Sequence, residues 1–149
     1  MVINMDENIE FLQELYKTSE MGKSSLSELA KILDVKENKI KLEIDQDLEK
    51  YENIISKIDK LALKYDKKMD KTGFMGKAGS IMGIRMEVSK DNSDSKIADM
   101  LIQGYTMGIL EVNRKLKKYK NSIGHAEKKI ADELIDFQNK SIKNIKKYL

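Results

Sequence analysis

Apolar and small residues recur at three- and four-residue steps along most of this chain, the spacing of helices that each bury one stripe. Between Asp6, a candidate N-cap, and about Leu33 the positions are Ile9, Leu12, Tyr16, Ser19, Leu26 and Ala30. Asp34 to Asn38 interrupts the pattern, and Ile40, Ile44, Leu48, Tyr51, Ile55, Ile58, Ala62 and Tyr65 predict a second helix over about 38–68. From Met69 the stripe dissolves. Gly73, Gly76, Gly79 and Gly83 divide Phe74, Met75, Ile81, Met82, Ile84 and Met86, and a polar run from Ser89 to Ser95 follows. The segment 69–94 therefore reads as a connector holding a short, imperfect helix. Asp94 or Ser95 can cap a third helix over about 95–121, with Ile97, Leu101, Gly104, Gly108, Val112, Leu116 and Tyr119 on one face. Ser122-Ile123-Gly124 separates it from a fourth over about 125–149, with Ile130, Leu134, Phe137, Ser141, Ile145 and Tyr148 inward.

Four amphipathic helices must bury their stripes against one another, which predicts an all-α, single-domain bundle spanning 1–149. The chain has no Pro, so nothing breaks the long helices from within. Short links after the first and third helices and a long one between the second and third predict a crossover bundle of ferritin-like topology. Gly104 and Gly108, four apart, are candidates for close packing against a neighbouring helix.

The segments Leu15-Tyr16-Lys17-Thr18-Ser19-Glu20-Met21-Gly22, Met82-Gly83-Ile84-Arg85-Met86 and Leu101-Ile102-Gln103-Gly104-Tyr105-Thr106-Met107-Gly108-Ile109 resemble those of an uncharacterised family of small ferritin-like four-helix-bundle proteins of clostridia and bacilli. The resemblance would cover nearly the whole chain; it implies a bundle fold and points to no activity. Usage rich in Lys, Ile and Asn also suits an AT-rich bacterial genome.

Composition removes much chemistry. There is no Cys and a single His, His125, so disulfides, thiolate metal sites, Cys nucleophiles and any site needing two imidazoles are excluded within one chain. The Glu-x-x-His pairs of di-iron bundles are missing, and no cofactor is expected. No Gly-x-Ser-x-Gly elbow or phosphate-binding Gly-x-x-x-x-Gly-Lys-Ser/Thr loop occurs. No run approaches the roughly 18 apolar residues of a membrane span, and the first residues lack a signal pattern, so a soluble cytoplasmic protein is expected.

Charge is segregated: residues 1–70 carry 12 basic and 16 acidic side chains, residues 96–149 carry 12 and 6. The basic half is almost entirely Lys, which suits a solvated surface better than base reading. Leu26 to Ile40 resembles a helix-turn-helix, with Ala30, Val35 and Ile40 at its packing positions. Asp34 at the turn and the carboxylates Glu43, Asp45, Asp47 and Glu49 beyond it oppose DNA phosphates, and nucleic acid is not expected as a partner.

Three candidate buried polar residues remain. Asp47 lies amid Ile44, Leu48, Tyr51 and Ile54, and an ionised carboxylate there must be paired, with a Tyr hydroxyl or Lys23 as partner. Glu111 lies at a stripe edge with Lys115 as its natural partner. The candidate contact surface is Phe74, Met75, Ile81, Met82, Ile84 and Met86, more apolar than a simple loop needs. The function expected is a non-enzymatic interaction or ligand-binding module, a homo-oligomer or one with a protein partner. A degenerate ferritin-like metal or oxidant-handling protein and a helix-turn-helix regulator are the alternatives.

Overall fold

Asn4 rather than Asp6 starts the first helix: its side-chain oxygen accepts from the Asp6 and Glu7 amides, satisfying two of the free N–H groups there. The computed structural model describes residues 4–71 and 77–149, with side chains omitted for 77–81. It contains α1 (Met5–Ile32), α2 (Lys41–Leu63), α3 (Lys77–Lys90), α4 (Asp94–Lys118), α5 (His125–Ile145) and a 3-10 turn at Lys146–Tyr148. The described residues include no strand, and no described helix is long and apolar enough to cross a membrane.

The boundaries differ from the periodicity by a few residues at the ends, where capping decides. Ser93 caps α4, one residue before the expected Asp94 or Ser95, by accepting from the Lys96 amide. The second helix ends at Leu63, not near 68, because the chain turns back through Asp66, whose φ of 58° lies in the left-handed region. The connector carries a helix of 14 residues, α3, which packs on α1. Ile84 and Val88 face the bundle.

Helix directions follow from side-chain bonds at the two ends of the bundle. At one end the Asn38 amide nitrogen donates to the Asn92 carbonyl at 2.8 Å and the Asp94 carboxylate at 3.0 Å, so α2 and α4 begin side by side. At the other end the Asn4 amide donates to the Ser122 carbonyl and the Gly124 amide to the Asn8 side chain, placing the start of α1 beside the start of α5. Tyr65, just past α2, donates to Glu127 in the first turn of α5. Thus α1 and α5 run one way and α2 and α4 the other. The α1–α2 and α4–α5 hairpins pack most extensively, and α2–α5 and α1–α4 contacts close the ring. The end of α2 and the start of α4 therefore lie at opposite ends of the bundle.

The core runs through all four long helices, with Phe11, Leu12, Tyr16, Ile40, Ile44, Ile58, Ile97 and Leu134 essentially inaccessible. On α4 the buried line is Ile97, Ala98, Leu101, Tyr105 and Val112. This is rotated from the expected one: Tyr105 turns inward and Gly104 outward, because the larger side chain fills the space that glycine leaves empty.

Candidate functional site

Asp47 on α2 is 4% exposed and sits at mid-bundle. Its Oδ2 accepts from the Tyr105 hydroxyl at 2.6 Å, and its Oδ1 lies 3.8 Å from Lys50 Nζ, one turn along the same helix. The expected tyrosine partner is thus present, and it comes from α4. Lys23 is half-buried, and the cation beside Asp47 is Lys50 instead. Burial pushes the Asp47 pKa up; the Tyr105 hydrogen bond, the neighbouring Ser141 hydroxyl and Lys50 oppose that shift, and Glu43 adds to it. Tyr105 is in turn held well above the ordinary phenol range, first by burial and then by the Asp47 charge.

Three rings form a layer around this pair. Tyr51 stacks on Tyr105 at 6.3 Å, and Phe137 meets Tyr51 edge-on at 4.7 Å. Gln138 on α5 completes the layer: its Nε2 donates to the Tyr51 hydroxyl at 3.2 Å. Its Oε1 is buried without a hydrogen-bond partner. The layer holds one carboxylate, and among the described residues no group of three His, Asp or Glu side chains is arranged to hold a metal. His125 is exposed at the start of α5.

Above this layer α1 and α4 part to leave a groove of about 390 Å³, within the range of about 300–1,000 Å³ typical of small-molecule sites. Its walls are chiefly apolar and rich in Met, with Met21, Met100, Met107 and Leu26 among them, and Ile84 of α3 closes one side. Met107 is 68% exposed at the rim. The Lys115–Glu14 ion pair at 3.6 Å marks the antiparallel register of the two helices. Thr18 then stands opposite Glu111, Gly22 opposite Met107 and Gly108, and Leu29 opposite Met100 and Leu101.

Three glycines shape the groove in different ways. A Cβ on Gly22 would overlap the Tyr51 ring, and one on Gly108 would overlap the Gln138 amide, so each lets a side chain from the other helix of its own hairpin rise to the groove floor. Gly108 thus admits a side chain of α5 rather than making the close helix approach expected of it. Gly104 makes no close approach either, since a Cβ there would meet nothing within 4 Å; its small size leaves the groove open. Gly104→Ala should therefore raise stability by about 0.5–1 kcal/mol through helix propensity alone, whereas Gly22→Ala should lower it by overpacking. Thermal melts of the two variants check the opposite signs.

The remaining expected residues are scattered. Glu111 lines the groove at its rim and pairs with Arg114 at 2.7 Å, not Lys115, which is taken by Glu14 across the helix pair. Met82 and Met86 are exposed on α3 and Ile84 is half-buried in the groove wall. Phe74 and Met75 lie outside the described residues, as does the side chain of Ile81.

Several buried polar residues were not anticipated. Gln138 was legible, since it continues the α5 stripe four residues after Leu134. Glu28, 5% exposed and bonded by Arg85, was not, because it is α3 that covers it. No family model matches this chain, and no curated protein or solved structure is similar to it.

Proposed function

We propose that this chain is a non-enzymatic, ligand-binding helical bundle of ferritin-like topology, and that it takes up an apolar small molecule in the groove between α1 and α4. The groove itself carries the reading: a concave, Met-lined recess held open by Gly104 and floored by a polar pair. Methionine walls adapt to an occupant because the side chain is unbranched and polarisable. The parallel sense of α2 and α4, with the end of α2 and the start of α4 at opposite ends of the bundle, supports the ferritin-like topology.

Two observations favour this reading over its alternatives. A di-metal bundle would need inward carboxylates on several helices, whereas the central layer has Asp47 alone, already engaged by Tyr105 and Lys50; these residues do not fit such a centre. A helix-turn-helix would pack Val35 between Ala30 and Ile40, but Val35 is 52% exposed at the α1–α2 turn.

Diphenylhexatriene, which fluoresces only in apolar surroundings, should bind saturably at one per chain. Gly104→Phe, which projects a ring into the open groove, should reduce that signal at least tenfold while helix content and sedimentation mass stay unchanged. Absence of saturable binding by the wild-type protein, or equal binding by the filled variant, would overturn the proposal. A mass of two chains together with no dye uptake would instead point to a second copy covering the groove.

A further inference from the structure

We propose that the groove selects a linear amphiphile whose uncharged head both donates and accepts a hydrogen bond, an alcohol or a primary amide, and that the head docks on the Tyr51 hydroxyl and the Gln138 carboxamide. This rests on the groove being a small-molecule site and adds the chemistry of its occupant.

The floor offers one donor and one acceptor. Gln138 is 1% exposed; its Nε2 is committed to the Tyr51 oxygen, and its Oε1 has no partner. Tyr51 accepts that bond, and its own proton has no acceptor among the described residues. Buried polar groups are ordinarily satisfied, and leaving them unpaired is costly, so this pair is a site awaiting a complement. An alcohol supplies it in full, accepting from Tyr51 and donating to Gln138 Oε1. An ether can only accept. Burial pushes the Tyr51 pKa up, keeping the phenol a donor at neutral pH.

Polarity is graded along the groove. The register marked by Glu14 and Lys115 puts Thr18, Glu111, Tyr51 and Gln138 toward one end. Leu26, Leu29, Met100, Leu101 and Ile84 lie toward the other. From Gly22, the level of the Tyr51 hydroxyl, to Leu29 the α1 lining is about 10 Å long at 1.5 Å per residue, room for most of an extended decyl tail.

Charge argues against ionic heads. Among the described residues no Lys or Arg lines the groove, and the one charged residue there, Glu111, is already paired with Arg114 at the rim. A carboxylate head would therefore be desolvated near Glu111 and the buried Asp47 without a counter-charge. An ammonium head could donate to Gln138 Oε1 but would leave the Tyr51 proton unaccepted.

The test is a head-group series of fixed tail, decanol, decanamide, decyl methyl ether, decanoate and decylamine, titrated into the wild-type protein. Binding is read directly from tyrosine ring shifts by NMR, independently of any dye. Decanol and decanamide should bind about tenfold more tightly than the ether, the equivalent of one hydrogen bond, and decanoate and decylamine more weakly than the ether. Gln138→Met should bring decanol and the ether to equal affinity while diphenylhexatriene binding persists; Gln138→Leu should do the same if Gln138→Met fails to fold, whereas Tyr51→Phe should weaken both and leave decanol ahead, since the alcohol still donates to Gln138 Oε1. Equal affinity across the neutral heads in the wild-type protein, or preference for decanoate or decylamine, would overturn the head-group assignment and leave the apolar groove standing. Failure of every amphiphile and of the dye would remove the groove as a ligand site altogether.

Discussion

Replacing Tyr105 by Phe should destabilise the bundle by about 1–3 kcal/mol at neutral pH, the cost of a buried polar group losing its partner. The phenylalanine keeps the stacking on Tyr51 and the contact with Phe137, so the loss is that of the hydroxyl bond to Asp47. The pH dependence gives a second signature. Asp47 is an acid whose folded pKa lies above its ordinary value of 3.8, chiefly through burial. Folding therefore favours its protonated form: that contribution is fully present below the unfolded pKa and is lost as pH rises through the folded pKa. Removing the Tyr105 bond raises the folded pKa further, so the penalty of Tyr105→Phe should shrink on acidification below the ordinary aspartate range. Asp47→Asn, which keeps an acceptor for Tyr105 and removes the charge, should stabilise the protein at neutral pH, with the gain vanishing in acid. Denaturant melts of both variants across this range check the signs. Asp47→Asn destabilising at neutral pH would mean that the fold stabilises the carboxylate in its ionised form, and a Tyr105→Phe penalty independent of pH would mean that the hydroxyl bonds both forms of Asp47 alike.

The second large effect is expected at the connector. Arg85 of α3 bonds the carboxylate of Glu28 on α1, which is buried while Arg85 is largely exposed. Arg85→Ala leaves that carboxylate covered and unpaired. Breaking a fully buried pair costs about 3–5 kcal/mol, and solvent access on the arginine side reduces this to about 1–3 kcal/mol. The loss should be local, because α3 meets the rest of the molecule mainly through α1. Amide protection along α3 should fall and trypsin should cut after Lys77 and Lys90 sooner, while the four long helices keep their exchange rates. Glu28→Gln in the same chain should restore part of the protection, since a neutral amide is cheaper to cover than a charge. Unchanged protection of α3 in Arg85→Ala would show that Ile84 and Val88 alone hold the helix.

How much of this was legible in the chain depends on distance along it. The four long helices, their order and the long link between the second and third of them follow from periodicity, because a stripe of apolar residues at helical spacing can be buried in few ways. Burial of Asp47 was legible for the same reason, and so was the need for a tyrosine or lysine beside it. The helix ends were less so: Asn4 and Ser93 cap one or two residues from where composition pointed, since capping depends on which side chain meets which amide.

What the sequence by itself determined is an all-helical bundle with Asp47 in its core and a composition with no Cys and a single His. Only the tertiary structure decided that Tyr105 turns in and Gly104 out, that Lys50 rather than Lys23 stands beside Asp47, that α3 covers Glu28, and that Tyr51 and Gln138 meet beneath an open groove. The physical reason is that periodicity fixes a face to within about one residue's turn of the helix, about 100°, whereas a site needs atoms from different helices within a hydrogen bond of one another. Tyr51 and Gln138 are 87 residues apart in the chain and 3.2 Å apart in space, and the two glycines that admit them, Gly22 and Gly108, belong to α1 and α4, the neighbouring helices that flank the groove.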